Sequence, residues 1–199
     1  MPPPGPLEMR AATVASTRAS CAPYEDVPEV LGVCLAQRVV SLESAADVEL
    51  LCPSAGAWEA GCRQAWVDEQ VRLGRDVPDE RLIAACGGNS DCAFQVIDRA
   101  PSPDVLVQMT RCETYAVAYQ SDCIGHALHR WVNARPTPEQ GAAVLAAAGR
   151  NAKRVAMYHG MSEACGYTLA CSGVPEALAT DCQTSATLYR QSPARCPAR

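Results

Sequence analysis

Apolar residues recur every three or four positions along most of this chain, which is the spacing of one face of an α-helix. The run after Ser102 shows the pattern, because Val105, Leu106, Met109 and Cys112 fall on one side of a helix. A half-buried strand would need apolar and polar residues in strict alternation, with many β-branched residues, and the sequence has no such segment. The pattern therefore predicts an all-α protein.

Three prolines indicate where helices begin. Pro28, Pro78 and Pro138 each lie beside acidic residues and open an apolar-periodic run, as expected of a first helical turn. The last of these runs predicts the longest helix, over residues 139–158. Another helix is predicted over residues 121–134.

The helical pattern repeats about every sixty residues. Two segments have the same order of cysteines and close on the dipeptide Trp-Val; their cysteines are Cys34, Cys52 and Cys62 in the first, and Cys92, Cys112 and Cys123 in the second. Cys171 and Cys182 are again eleven residues apart, which adds a third copy. We expect an array of three degenerate helical repeats in one compact domain, at residues 21–77, 78–137 and 138–199, after a flexible segment at 1–20.

The third copy indicates how the cysteines pair. Ala148 and Arg154 occupy the positions of Cys86 and Cys92, so two cysteines are missing together. Joint loss is expected of a disulfide pair, since a lone thiol is a liability in an oxidising compartment. Residues six apart in a continuous helix lie about 9 Å apart, which is too far for a disulfide, so a turn is predicted at residues 87–90.

The same reasoning, applied to every copy, pairs all twelve cysteines. The predicted bridges are Cys21–Cys34, Cys52–Cys62, Cys86–Cys92, Cys112–Cys123, Cys171–Cys182 and Cys165–Cys196, the last of which fixes the C-terminal tail. Each bridge is worth about 2–4 kcal/mol. They would compensate for a core that draws mainly on Ala, Leu and Val, because the chain has only one phenylalanine.

Composition restricts the compartment and the partners. Twelve cysteines in 199 residues indicate an oxidising compartment, so we expect a secreted, periplasmic or cell-surface protein. The net charge of −5 argues against nucleic acid as a partner. No apolar stretch approaches the ~20 residues of a membrane span. Residues 1–20 lack the hydrophobic run of a signal peptide, so the export signal is expected to have been removed.

A metal site is one alternative function. The chain has three histidines, His126, His129 and His159, and the last lies between Met157 and Met161. Imidazole and thioether ligands suit copper, and histidines also suit zinc. Alternating residues diverge on a helix, however, and Cys123, the other soft ligand nearby, already has a disulfide partner in the repeat.

A hydrolase is a lower alternative. Gly160-Met-Ser162-Glu-Ala164 resembles the turn that carries a catalytic serine, with His159 three residues before Ser162. The motif lacks its last glycine and the strand that should precede it. Ser162 is more simply interpreted as the N-cap of a helix that contains Cys165.

The preferred function is therefore a binding or structural interaction module without catalytic activity and without a cofactor. Its partner is expected to be a protein or peptide. Trp66 and Trp131 occupy equivalent repeat positions and are expected in the core. Trp58 follows Gly56 in a predicted loop, where an exposed indole would form a binding surface.

Overall fold

The computed structural model describes residues 13–74 and 79–196. It is 81% helical, and these residues contain no β-strand, so the all-α prediction is confirmed. Pro78 and residues 1–12 of the segment expected to be flexible lie outside the described residues. None of the described helices combines the length and the apolar character needed to cross a bilayer.

Eleven α-helices follow one another through the described residues. In chain order they are α1 Val14–Cys21, α2 Pro28–Arg38, α3 Ala45–Leu51, α4 Glu59–Arg72, α5 Asp79–Ala85, α6 Ser90–Arg99, α7 Val105–Tyr115, α8 Gln120–Asn133, α9 Pro138–Ala147, α10 Ala152–Ala164 and α11 Glu176–Gln191. A 3₁₀ segment, Cys52–Trp58, leads into α4 and bends at Gly56, whose φ is +58°.

Local sequence explains where several helices begin. Pro28 and Pro138 occupy the first turns of α2 and α9, where a missing N–H costs no intrahelical hydrogen bond. The Asp104 carboxylate accepts from the N–H groups of Leu106 and Val107 at the start of α7. Such N-caps satisfy donors that the helix itself leaves unpaired.

The single long helix predicted at residues 139–158 is wrong. α9 ends at Ala147, a 3₁₀ turn follows over Gly149–Asn151, and α10 begins at Ala152. Gly149 has φ +52°, in the left-handed region that a glycine adopts without steric cost and that interrupts a right-handed helix.

The described chain divides into two compact units, Met1–Val96 and Ile97–Arg199. The core of the first contains Trp66, which is fully buried, and Leu35, Val48 and Leu51 are buried as well. The Trp66 indole N–H donates to the Leu42 carbonyl at 3.0 Å, so its one polar group is satisfied.

The second unit contains the close packing of α10 on α11. A Cβ atom built on Gly160 would lie 2.1 Å from the Cys182 carbonyl oxygen, so only glycine permits this approach. A core cluster nearby comprises Val132, Met161, Cys165 and Leu169, and the partly buried Trp131, Tyr158, Tyr167 and Tyr189 pack against it.

Every cysteine forms a disulfide, and the bonded pairs are the same six that the sequence predicts. Their Cα–Cα distances are 5.6–5.9 Å, within the usual range for a disulfide. Each unit contains three of the bonds. The boundaries of the three repeats remain a prediction.

Candidate functional site

Two of the three histidines lie in one groove of the second unit, on the exposed face of α8. The groove has a volume of about 560 Å³, and we call it the histidine groove; its lining residues are Ser121, Asp122, Gly125, His126, His129, Arg130 and Tyr158. The three- and four-residue spacing of α8 places its members on one side of the helix. Tyr158 comes from α10.

Asp98 at the end of α6 orients two of these side chains. Its carboxylate oxygen Oδ1 lies 2.9 Å from Nδ1 of His126 and also accepts from Nη2 of Arg130. A further bond joins Nη1 of Arg130 to the Asp98 carbonyl at 2.8 Å. One carboxylate thus fixes the directions of an imidazole and a guanidinium at the edge of the groove.

The opposite edge of the groove is held by α10. Arg154 donates to the hydroxyl oxygen of Ser121 at 2.9 Å, and the Tyr158 hydroxyl donates to the Gly125 carbonyl at 2.9 Å. Burial raises the pKa of Tyr158, so this phenol remains protonated. Arg154 therefore adds a fourth permanent or potential cation beside the three from α8, which are His126, His129 and Arg130.

The pKa of His129 reflects the electrostatic environment of the groove. Partial burial is the main cause that lowers the pKa of His129, and the neighbouring His126 and Arg130 side chains lower it further. The Asn133 amide lies 3.3 Å from Nδ1 of His129. An amide nitrogen donates, so this contact fits an imidazole that carries its proton on Nε2.

His159, the third histidine, lies elsewhere in the second unit. Only 2% of it is exposed, and its ring packs at 6.3 Å from that of Trp131 and against Gly141. Burial lowers the pKa of His159, although the backbone of Ala170 and of Gly141 opposes this effect. Neither ring nitrogen has a hydrogen bond of good geometry within the described residues.

The residues of the metal alternative are not brought together. His126 and His129 share the histidine groove without His159, Met157 is exposed, and Met161 is buried. The described residues contain no group of three or more His, Cys, Asp or Glu side chains that could hold a metal ion.

The residues of the hydrolase alternative lie in the protein interior. Ser162 is fully buried inside α10, and its hydroxyl accepts from the Leu169 N–H at 3.0 Å. Its interpretation as the N-cap of a helix is therefore wrong, since the helix begins ten residues earlier at Ala152. Because His159 is buried as well, a substrate in solution cannot reach this pair of side chains.

A second groove of the same unit, of about 650 Å³, is lined mainly by apolar residues. We call it the Trp131 groove; its walls include Pro103, Val105, Trp131, Arg135, Ala143 and Val144. Trp131 is only partly buried, so the expectation that it belongs to the core is met in part. No sequence pattern indicates this groove, because its walls come from the region of three helices, α7, α8 and α9, and residue spacing within one helix does not show how helices pack together.

Trp58 is exposed to 45%, in agreement with the proposed surface, and it lies in the first unit. Its indole also contacts α2, where a Cβ atom on Gly32 would approach it to 2.6 Å.

The fold and its cross-links define a class of protein: an all-α protein stabilised by six disulfides. No family model, no curated protein and no solved structure matches this chain. The function must therefore be argued from the two grooves.

Proposed function

We propose that this protein is an exported, non-catalytic binding module that accepts an apolar segment of a peptide or protein partner in the Trp131 groove. The observation that carries the proposal is an apolar groove of about 650 Å³ with a tryptophan and an arginine in its wall. These two residue types are enriched where truncation costs most binding energy in protein interfaces.

The backbone at Arg135 supports a functional reading. Its φ is +56°, and it is the one residue other than glycine with a positive φ among the described residues. Arg135 directly follows Ala134, the C-cap of α8, where a left-handed residue ends a helix, and this backbone turn sets the direction in which its side chain leaves the helix end. Here the guanidinium carbon lies 5.2 Å from the centre of the Tyr167 ring, which fixes its direction.

Small side chains keep the groove open on its α9 side. Ala143 and Ala147 line it and are exposed, while Val144 between them is buried. A partner side chain can therefore contact the helix directly, and the apolar area that it covers provides the main driving force. The proposal requires that the partner contribute apolar side chains at this point.

The disulfides support the export part of the proposal. All twelve cysteines are paired, and protein disulfides persist in secreted, periplasmic and cell-surface environments. This reasoning concerns the compartment only.

The three-repeat organisation is also part of the proposal. Cys62 and Cys123 are each the fourth residue of a fourteen-residue helix, α4 and α8. Cys62 bonds to Cys52, directly after the end of α3, and Cys123 bonds to Cys112, in the last turn of α7. Cys182 of α11 bonds in a similar way to the short turn that precedes it. Stacked helical repeats present extended surfaces for partners.

The test is a selection of peptides from a random displayed library on the immobilised full chain. Ala143→Arg should fill the groove with a long charged side chain, and it should lower the affinity of selected peptides about tenfold or more. Ala146→Arg is the matched control, because Ala146 is exposed on the same helix but does not line the groove. Circular dichroism before and after reduction checks that both variants remain folded.

Three outcomes would overturn this assignment. In the first, the library enriches no peptide. In the second, the selected peptides bind Ala143→Arg as tightly as the original chain. In the third, Trp58→Ala abolishes binding that Ala143→Arg leaves intact. The last result would transfer the binding surface to Trp58.

A further inference from the structure

His159 is a buried titratable side chain that the proposed peptide binding does not use. Only 2% of it is exposed, and neither ring nitrogen has a hydrogen bond of good geometry within the described residues. Burial of a polar group without a partner costs free energy, because the group gives up its hydrogen bonds to water. An apolar side chain would fill the same space without this cost, so the imidazole calls for a specific explanation.

The ring packs against two of the helices that wall the Trp131 groove. On α8, the centre of the Trp131 ring lies 6.3 Å from that of His159, and Trp131 lines the groove. On α9, a Cβ atom built on Gly141 would lie 3.0 Å from Cε1 of His159. Gln140 and Val144, which precede and follow Gly141 on this helix, also line the groove. Any change at this ring therefore reaches two walls of the groove.

A neutral ring and a protonated ring need different surroundings. Protonation turns both ring nitrogens into donors and adds a charge. The backbone groups of Ala170 and Gly141 raise the pKa of His159, but burial lowers this pKa and is the larger effect. The neutral ring is thus the form that fits the closed packing, whereas the charged ring is stabilised where water reaches it.

The charged groups around His159 have partners or surroundings of their own. Glu163 lies one helical turn after it on α10, but the Glu163 carboxylate accepts from Arg190 of α11 and from the Cys171 N–H. The other charged or titratable neighbours are Arg130 of α8, which bonds to Asp98; Glu139 of α9, which is exposed; Tyr158 of α10, which donates to Gly125; Tyr167, which packs against Arg135; and Tyr189 of α11, which packs on the core cluster. The main influences on the pKa of His159 are accordingly burial and the backbone, and no side-chain charge is among them.

We propose that His159 makes the Trp131 groove sensitive to acid. While its ring is neutral, α8 and α9 pack on it and the groove has the shape that binds an apolar peptide segment. When the ring takes up a proton, α9 moves away far enough for water to reach the ring, and the peptide is released. This regulation rests on the proposed function, and His159 is a positioning residue because it does not line the groove.

The direction of the pH effect follows from the two states of the groove. Burial lowers the pKa of His159 in the closed groove below the ordinary value of 6.5. In the open groove water reaches the ring, so its pKa is close to that ordinary value and it takes up a proton first as the pH falls. The closed groove is therefore fully favoured above pH ~6.5, and below it the open form gains by up to about tenfold per pH unit until the pH reaches the lower pKa of the closed form.

The first experiment follows the full chain by NMR between pH ~7.5 and ~5, without any peptide. We expect the ring signal of His159 to titrate together with a shift of the Trp131 indole N–H signal and with faster amide exchange in α9. Amides of α11, which the Cys171–Cys182 bridge cross-links, should keep their protection and serve as an internal reference. Return to pH ~7.5 should restore all signals.

The second experiment measures, over the same pH range, the affinity of peptides selected on the Trp131 groove. In the original chain this affinity should fall by up to about tenfold per pH unit below pH ~6.5. His159→Gln keeps a polar side chain that takes up no proton, so its affinity should change much less. His129→Gln is the matched control, because His129 lines the histidine groove and not the Trp131 groove, and it should keep the acid response of the original chain. Thermal unfolding at neutral pH shows whether each variant folds, and the NMR titration of the original chain decides if His159→Gln does not.

Three results would overturn the proposal. In the first, the Trp131 signal and the exchange of α9 stay constant while the His159 ring titrates. In the second, α11 loses its protection together with α9, which means that the whole unit unfolds. In the third, His159→Gln loses affinity in acid as the original chain does.

The two experiments separate this regulation from the proposed function. If the library enriches no peptide, the proposed function fails, whereas a response of Trp131 and α9 to acid still supports the opening of the groove. Peptides that are sensitive to Ala143→Arg and bind equally well at both ends of the pH range would support the function and overturn its regulation by His159.

Discussion

Two turns of this protein, one in each unit, have a glycine with positive φ at the same position and have different cross-links. The first joins α5 to α6 and the second joins α9 to α10, and their helices end and begin at positions sixty-two residues apart. Gly87 and Gly149 have φ values of +60° and +52°. Asn89 and Asn151 directly precede the next helix in each case. Only the first turn contains a disulfide, Cys86–Cys92.

The two turns differ in what holds them. Asn89 caps its own helix, because its side-chain oxygen accepts from the N–H groups of Asp91 and Cys92. Asn151 instead donates to Glu113 of α7 at 2.7 Å. Arg154, in the place of a cysteine, bonds to Ser121 of α8.

A cross-linked turn both reverses the chain and stabilises the reversal, and these two turns allow the two effects to be considered separately. A glycine in the left-handed region reverses the chain in both turns, and the cross-linked turn has a second one, Gly88, with φ +82°. We therefore expect the disulfide to stabilise this turn rather than to cause the reversal. Where the disulfide is missing, polar contacts to neighbouring helices replace it. The agreement between the turns also supports the proposed repeat.

The largest effect is expected from removing the disulfide of the first turn. Cys86→Ala with Cys92→Ala opens a loop of six residues, which costs about 2 kcal/mol in the chain-entropy model. The turn should nevertheless keep its shape, because Gly87 and the Asn89 cap remain. Urea unfolding measures the loss, and amide exchange in α6 reports the shape. An α6 that exchanges freely while the rest stays protected would show that the disulfide creates the turn.

A disulfide introduced into the second turn tests the comparison from the other side. Ala148→Cys with Arg154→Cys should oxidise without distortion and raise the free energy of unfolding by up to about 2 kcal/mol, reduced by the lost Arg154–Ser121 bonds. Mass spectrometry should find the chain two hydrogens lighter than its reduced form. As a control, Ala147→Cys with Arg154→Cys shifts one cysteine by a residue and should close poorly. Two persistent free thiols at 148 and 154 would refute the equivalence of the turns.

Alanine at the two glycines should cost less. Gly149→Ala forces a side chain into the left-handed region, at about 1 kcal/mol. Gly87→Ala should cost more, because its Cβ atom would also lie 2.7 Å from Nε of Arg63, whereas nothing lies within 4 Å at Gly149. Gly173→Ala is the control, since it has open space and no positive φ. Thermal unfolding should therefore rank the variants Gly87, Gly149 and Gly173, and a neutral Gly149→Ala would contradict the role assigned to glycine.

These turns also show which features of the fold can be predicted from the sequence. The helical class and the pairing of cysteines follow from periodicity and from comparison of the copies, because both are repeated local patterns. The same comparison contained the signal for the break at Gly149, since Gly87 occupies the equivalent place. The prediction of one helix over 139–158 followed apolar spacing alone, which does not register a backbone change at one residue.

The site was less accessible to prediction than the fold. The spacing on α8 does place His126, His129 and Arg130 together, as the structure confirms. Asp98, Arg154 and Tyr158 belong to other helices, and nothing in their local sequence indicates which helix face they meet. His159 was grouped with the other histidines by residue type, although packing puts it beside Trp131.

The smallest effect is expected at the ion pair of the second turn, Glu113 with Arg150, whose Nε–Oε1 distance is 2.8 Å. Exposed pairs of this kind contribute about 0–1 kcal/mol. The hydrogen bond from Arg150 is the main cause that lowers the pKa of Glu113, and Asn151 lowers it further. Because the folded carboxyl has the lower pKa, the ion pair contributes to stability above the ordinary pKa near 4.5, and this contribution is lost as the pH falls through the folded pKa.

Arg150→Ala should therefore be less stable than the original chain at pH ~7 and no different in strong acid. Urea unfolding over this pH range measures it, with Glu113→Gln as the control that should show no such dependence at this site. If Arg150→Ala is still less stable than the original chain in strong acid, Arg150 stabilises the turn through packing. The second turn would then resemble the first in being held by an interaction that does not depend on charge.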